Sequence, residues 1–249
     1  MSPHNFLCED CLYWGKSYND KCDKCNDKYQ RPILTVDVCC FTLIKDELHI
    51  LLVKRDKPPY LGLLALPGGY IHVNDDEDSL NAAKRVAKEK LGIDVPYLEQ
   101  LKTFSGNKRD PRGWSASICY IAFVQPSVVK EKGDFHQADL VSKEMGYSLA
   151  FDHQFMIDEA LIRIRNKSNY SSLPLFLMEE KFTLNDIQIV YQSIMKTEID
   201  KATFRRKILE QEIVEPTGQI LKNKIHRPAK LYKPTEKTIK IFRTTINEL

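Results

Sequence analysis

Three stretches of this 249-residue chain obey different chemical rules, and no single core can satisfy all of them. Residues 1–30 are polar and carry four cysteines in two close pairs. Residues 31–166 alternate strand-like and helix-like patterns, and residues 182–233 read as helix, helix and a short ribbon. The length suits one or two domains. A further appendage can fold only if something other than apolar burial staples it. The bounds expected are 1–30, 31–170 and 171–249. No apolar run approaches the roughly 18 residues that a membrane span needs. The first six residues, Met1 to Phe6, lack the basic-then-apolar layout of a signal peptide. A cytoplasmic location is the expectation.

The N-terminal stretch holds Cys8-x2-Cys11 and Cys22-x2-Cys25, ten residues apart. Each pair can grip one edge of a metal, and the loop brings the edges together as a tetrahedral thiolate site. About 30 residues cannot bury enough apolar surface to fold unaided, so bound metal would supply the missing stability. Structural zinc is expected, with iron in a rubredoxin-like site as the alternative. The other three cysteines, Cys39, Cys40 and Cys119, sit in apolar strand patterns and read as core.

In the middle stretch, Leu34–Leu43 and Leu48–Val53 are apolar, β-branched runs separated by Lys45-Asp46-Glu47, which predicts a hairpin. Ile118–Val124 predicts another strand. Asp78–Leu91 predicts a helix, with Asp78 as N-cap, apolar residues at helical spacing and Gly92 just past the end. Leu149–Arg165 predicts a second helix, in which Met156, Ala160 and Ile164 recur every four residues. The cluster Asn107-Lys108-Arg109-Asp110-Pro111-Arg112-Gly113-Trp114 places two arginines beside a Pro-Gly turn, where they could hold a diphosphate by forked hydrogen bonds. Trp114 and Tyr70 are candidates for an aromatic wall.

The net charge of +3 conceals an asymmetry. From Lys181 onward there are 14 Lys/Arg against 8 Asp/Glu, whereas the remainder holds 23 against 26. A basic back half suits a polyanionic partner, although a solvated basic surface would look the same. Phe182-Thr183-Leu184-Asn185-Asp186-Ile187 opens a helix, with Thr183 and Asp186 as a capping box and Phe182 with Ile187 as a hydrophobic staple. A second helix opens at Asp200. Phe204 and Ile208 should face inward, which turns Arg206 outward at two steps of ~100°. Helix, short turn, basic helix is the helix-turn-helix layout. The candidate DNA-contacting residues on it are Lys201, Thr203, Arg205, Arg206 and Lys207. After a turn at Val214–Gly218, Lys222, Lys224, Arg227 and Lys230 read as a basic wing lying on the DNA backbone.

Leu66-Pro67-Gly68-Gly69-Tyr70-Ile71, followed by a helix ending Arg85-Val86-Ala87-Lys88-Glu89-Lys90-Leu91-Gly92-Ile93, resembles the Nudix box. The resemblance implies an α/β/α sandwich with a mixed sheet and a pocket for a nucleoside diphosphate linked to another moiety. It also implies carboxylates at positions 86, 89 and 90 to bind divalent ions, yet this chain has Val86, Glu89 and Lys90 there. The loop between Gly69 and Arg85 is two residues longer than the usual box. A hard cation needs oxygen ligands, which Val86 lacks, and Lys90 puts an ammonium where a metal would sit. Binding without turnover is expected, with Mg²⁺ not required. The candidate ligand residues are Arg55, Gly68, Gly69, Glu89, Lys90, Asn107, Arg109, Arg112 and Trp114.

Taken with Leu149-Ala150-Phe151-Asp152-His153, Phe204-Arg205-Arg206-Lys207, Glu215-Pro216-Thr217-Gly218 and Arg227-Pro228-Ala229-Lys230-Leu231-Tyr232, residues of about 31–233 resemble the Nudix-related transcriptional regulators, the NrtR family. The fold class expected is therefore α+β and multidomain: a Nudix sandwich, a C-terminal winged helix and a small zinc-binding segment. The resemblance implies a homodimeric repressor, commonly of NAD metabolism genes, that binds a double-stranded DNA operator and is released by ADP-ribose. The cysteine-paired segment departs from that family. The other reading is an active Nudix pyrophosphatase splitting ADP-ribose or a relative, and a third combines both activities. Replacement of the outward arginine, Arg206→Ala, should abolish sequence-specific DNA binding; a variant that binds its operator unchanged would show that this helix does not read it.

Overall fold

The computed structural model describes residues 6–7, 14–15, 32–92, 95–129, 134–138, 141, 149–221, 228–243 and 245–246. They belong to two compact units, Met1–Ile33 and Leu34–Leu249. In the first, β1 (Phe6–Leu7) pairs antiparallel with β2 (Trp14–Gly15). Cys8, Cys11, Cys22 and Cys25 lie outside the described residues. Among the described residues no helix is long and apolar enough to cross a membrane.

The expected hairpin opens the second unit. β3 (Ile33–Ile44) turns into β4 (Glu47–Lys54), with Ile44 opposite Glu47. The turn is two residues long. Lys45 and Asp46 both have positive φ, at 50° and 63°, as a primed turn needs if it is to match the twist of its strands. Glu47 therefore begins the second strand. Short strands β5 (Leu64–Ala65) and β6 (Gly68–Tyr70) follow, then helix α1 (Ser79–Leu91). Its cap is the expected one: the Asp78 side chain accepts from the Asn81 N–H at 2.7 Å, and Gly92 closes the helix in the left-handed conformation. Then come β7 (Tyr97–Gly106), β8 (Ser115–Phe123), the four-residue α2 (Pro126–Val129) and β9 (Asp134–Gln137). The strands form one sheet in the order β5-β4-β3-β8-β7, with β6 added on β3 and β9 on β4.

Alternation along β3 divides the core between the two faces of this sheet. Val36, Val38 and Cys40 share one apolar cluster with Ala82, Ala83, Val86 and Ala87 of α1. Cys39, Phe41 and Leu43 share the other with Met156, Ala160 and Ile164 of α3 (His153–Asn169). The result is a helix–sheet–helix sandwich, in which the cysteines of β3 and β8 are buried as expected. Helix α3 starts four residues later than its periodicity predicts. Leu149 bridges Leu64, the Ala150 N–H donates to the Leu64 carbonyl at 2.9 Å, and Phe151 takes a φ of 57°. Sheet pairing and a left-handed residue are both incompatible with helix.

After a 3₁₀ turn at Leu173–Leu177, α4 (Leu184–Met195) carries the full capping box of Thr183 and Asp186. Lys196 ends it at φ 53°, and α5 (Lys201–Glu210) opens under the Asp200 cap. The Gln188 amide donates to the Ile199 carbonyl at 2.8 Å and pins the turn between the helices. Tyr191 and Phe204 meet edge-to-face, their centroids 5.3 Å apart. Strand β10 (Val214–Leu221) pairs antiparallel with β11 (Ala229–Pro234). The segment expected to be a turn, Val214–Gly218, lies in β10. A register shift between Pro216 and Ile220, with Gly218 at φ 76°, absorbs the irregularity as a bulge.

The core does not stop between sandwich and winged helix. The cluster beneath α3 continues through Ile187, Tyr191, Phe204, Ile208 and Val214. The last described segment closes the far side of this junction. Phe242 and Ile246 donate from their backbones to Tyr170 and Asn169 at the end of α3, at 2.7 and 2.8 Å. Lys207 and Lys240 reciprocate from their side chains, Lys207 to the Thr245 and Ile246 carbonyls and Lys240 to the Gln211 carbonyl at the end of α5.

Candidate functional site

A cavity of about 510 Å³ opens where β3, β6, the start of α3 and the loops after β4 and β7 converge. Of the expected ligand residues, Arg55, Gly68, Gly69, Glu89, Lys90, Arg109 and Arg112 line it. Asn107 and Trp114 do not: they sit exposed at the two ends of the turn between β7 and β8. The aromatic wall comes from Tyr70 and from Phe151, which the sequence reading did not place in the site. Phe151 packs edge-to-face on Tyr60 at 4.9 Å, and both residues hold positive φ, at 57° and 62°. Left-handed aromatic residues are costly, so Phe151 packed on a second one, Tyr60, marks a constrained wall.

Asp37 and His153 form the floor, with Ser117 buried against Asp37, and none of the three was singled out from sequence for the site. Asp37 is the lone carboxylate in the apolar run of β3, which is the signal that could have found it. It is buried and accepts a hydrogen bond from the Ser117 hydroxyl. Gly68 lies directly against it: a Cβ at that position would fall 1.9 Å from Asp37 Oδ1. Only glycine lets the chain pass so close. Burial pushes the Asp37 carboxyl up to about 7 against the opposing pull of Ser117. His153 Nδ1 faces the Leu66 backbone N–H at 2.8 Å. A backbone N–H can only donate, so Nδ1 accepts and the ring proton resides on Nε2, which points toward Asp37 Oδ1 at 3.6 Å. Burial, aided by the charges of Arg109 and Arg55, drives the imidazole down to about 3 and keeps it neutral.

The arginine cluster is wired differently from expectation. The Arg109 fork closes on Asp152 at 2.8 and 2.9 Å and reaches the Ser115 hydroxyl at 3.1 Å. Arg112 closes on Asp110 at 2.6 and 2.9 Å and also donates to the Tyr70 hydroxyl. Both forks expected to grip a diphosphate are therefore already filled by carboxylates, and these arginines brace the walls. Arg55 differs. Its guanidinium donates only to the carbonyls of Pro59 and Lys57 and lies over the Phe151 ring at 4.8 Å, with no ion pair among the described residues.

On α1, Val86 is buried beneath Gly69, with its Cγ2 3.1 Å from where a Gly69 Cβ would stand. Glu89 is exposed and pairs loosely with Arg85 at 3.4 Å, and Lys90 is exposed beside it. Arg85 is the anchor of the loop between β6 and α1. It holds Asp76 by two hydrogen bonds of 2.7 and 2.8 Å and the Tyr70 carbonyl by a third of 2.9 Å.

The winged helix presents a second, larger groove of about 770 Å³ between the start of α4, α5 and the ribbon, with Lys201, Arg205 and Lys230 on its walls. Phe204 and Ile208 point inward as expected and Arg206 outward, 65% exposed. Thr203 is half-buried, and its N–H goes to the Asp200 cap at 2.9 Å. Lys207 is half-buried and departs from expectation: its ammonium donates to the Thr245 and Ile246 carbonyls. Lys222, Lys224 and Arg227 lie outside the described residues.

Sandwich, cavity and winged helix together define a Nudix domain fused to a DNA-recognition fold. Residues 33–146 match the NUDIX domain family, and residues 174–233 match the NrtR DNA-binding winged helix domain. The ADPR responsive transcriptional repressor NtrR of Acinetobacter baylyi is 36% identical over 210 residues, which cover 82% of this chain and 83% of that protein. The crystal structure of Shewanella oneidensis NrtR complexed with a 27mer DNA superposes with a TM-score of 0.77 at 33% identity, covering 85% of this chain and 98% of that one. An ADP-ribose pyrophosphatase of Methanocaldococcus jannaschii is 32% identical over 151 residues, covering 59% of this chain and 86% of that enzyme. The chain belongs to the NrtR family of Nudix-related transcriptional regulators.

The Arg85 hydrogen bonds hold the Asp76 carboxyl down at about 2. A depressed acid stabilises the fold above its unfolded value near 4, and that stabilisation is lost as the pH falls from about 4 to about 2. Asp76→Asn should therefore cost about 2 kcal/mol at neutral pH. Chemical denaturation of both proteins should show the gap shrinking below pH 4; a constant gap would mean that the ion pair is not its source.

Proposed function

We propose that this protein is a DNA-binding transcriptional repressor whose Nudix cavity senses ADP-ribose, which weakens its hold on an operator. One observation carries the reading: a cationic cavity and a reading helix share a single core. Helix α3 begins in the cavity wall, where Asp152 holds Arg109 and His153 faces Asp37, and ends against the segment that also holds Lys207 of α5. A ligand that prefers one setting of α3 therefore shifts the population of reading-helix settings. The repressor of A. baylyi is described as ADPR responsive, and the S. oneidensis protein was crystallised on DNA. On the cavity, Arg55, Lys57 and Lys90 form no ion pair among the described residues, which suits a diphosphate. Lys201, Arg205, Arg206 and Lys230 suit DNA, and a homodimer suits a pair of half-sites.

The same geometry argues for binding without hydrolysis. Diphosphate cleavage in this fold draws on divalent ions to stabilise charge and activate water. Val86 offers no oxygen and is packed into the core, Glu89 shares its charge with Arg85, and Lys90 repels a cation. These residues do not fit Mg²⁺. The likeness to the archaeal pyrophosphatase favours the opposite reading, so both are put to the same protein.

Fluorescence anisotropy of labelled DNA from upstream of the protein's own gene should show tight, sequence-selective binding that ADP-ribose weakens, with no Mg²⁺-dependent release of AMP. Binding no more selective than that of any basic domain, together with AMP release, would replace the regulator by the hydrolase. For the appendage of residues 1–30 we propose one structural zinc held by Cys8, Cys11, Cys22 and Cys25. Elemental analysis should find one zinc per chain, lost on Cys8→Ser with Cys11→Ser; a metal-free native protein would contradict it.

A further inference from the structure

The cations that line the cavity are not equally available. Among the described residues Arg55, Lys57 and Lys90 have no carboxylate partner, whereas Arg109 and Arg112 are each closed on an aspartate by two hydrogen bonds. What the floor offers instead is one acceptor and one donor. Asp37 Oδ2 is satisfied by Ser117, which leaves Oδ1 facing His153 Nε2 across 3.6 Å, too far for a good hydrogen bond between them. The His153 tautomer is fixed by the Leu66 N–H, so Nε2 carries a proton with no acceptor at bonding distance among the described residues. Both side chains are more than nine-tenths buried, at 9% and 4% exposed, and both line the cavity. Groups this buried are costly to leave unpaired.

We infer that Asp37 and His153 form a hydroxyl-reading subsite, in which one sugar hydroxyl of the ligand accepts from His153 Nε2–H and donates to Asp37 Oδ1. A hydroxyl is the small group that can do both at once. A phosphate oxygen cannot donate, and it would meet the Asp37 carboxyl group. Phosphate therefore belongs at Arg55, Lys57 and Lys90, and the sugar at the floor. Gly68 has a role in this: any side chain there would displace Asp37 Oδ1 from the position that faces His153. The polarity is the reverse of what two arginines in sequence suggest, because Asp110 and Asp152 have cancelled them.

The inference rests on ADP-ribose as the ligand, which offers two riboses as the source of the hydroxyl. Calorimetric titration of the full-length protein separates the cases, with ADP-ribose and with two analogues that lack hydroxyls on one ribose or on the other. The wild type should lose tenfold or more in affinity for one analogue, which identifies the sugar at the floor. Asp37→Asn presents an amide N–H₂ toward His153 Nε2–H, donor against donor. It should bind ADP-ribose at least about tenfold more weakly than wild type and no longer distinguish that analogue from ADP-ribose. A wild type that binds ADP-ribose and both analogues within twofold overturns the subsite and leaves the regulator reading intact. So does an Asp37→Asn protein that keeps the full discrimination. A wild type that does not bind ADP-ribose at all overturns the functional reading and the subsite with it. The analogue series on the wild type decides the question even where Asp37→Asn does not fold.

Discussion

Burial of α3 on two sides is the constraint from which the rest of this structure follows. Its apolar positions Met156, Ile157, Ala160, Leu161 and Ile164 are all essentially fully buried. They form a face wider than a sheet-covering helix needs, and the surplus is shared with α4 and the 3₁₀ turn. Fully burying each large apolar side chain is worth about 1.5–3 kcal/mol, so separating the winged helix from the sandwich would be costly. Sandwich and winged helix are thereby joined through one apolar cluster rather than tethered by a linker.

That arrangement explains why the polar groups stand where they do. The first turn of α3 delivers Asp152 and His153 to the cavity, and its surface lysine and arginine, Lys167 and Arg163, hold Glu99 on the edge strand β7. The helix is thus held along its length as well as on its buried face. A movement at the cavity end would be transmitted as movement of a packed rod, because a core at close-packed density shifts between discrete settings rather than deforming gradually.

The cavity shows how charge counted along a chain differs from charge in space. Three arginines border it, but two of them are neutralised locally, and the carboxyl at its floor is held partly uncharged by burial. Among the described residues, the cations without a carboxylate partner come from a loop and from the exposed end of α1. A site of this kind sorts a ligand by parts, with anionic groups at the unpaired cations and neutral polar groups at the floor, and a uniformly basic pocket could not do so.

Much of the local structure was legible in the sequence because its causes lie within a few residues. The Asp78, Thr183 and Asp200 caps, the capping box, the hairpin at Lys45–Asp46 and the inward pair Phe204 and Ile208 all depend on neighbours one to four positions away, or on a period that a window of the chain displays. The succession of a Nudix sandwich and a winged helix was likewise readable from the change of pattern along the chain. What only the tertiary structure decided are the pairings between distant residues. Asp37 meets Gly68 and His153, Arg109 finds Asp152 rather than a phosphate, and Lys207 turns to carbonyls near the end of the chain. No window contains both members of such a pair, and the charge of an arginine says nothing about which partner the folded chain will bring to it.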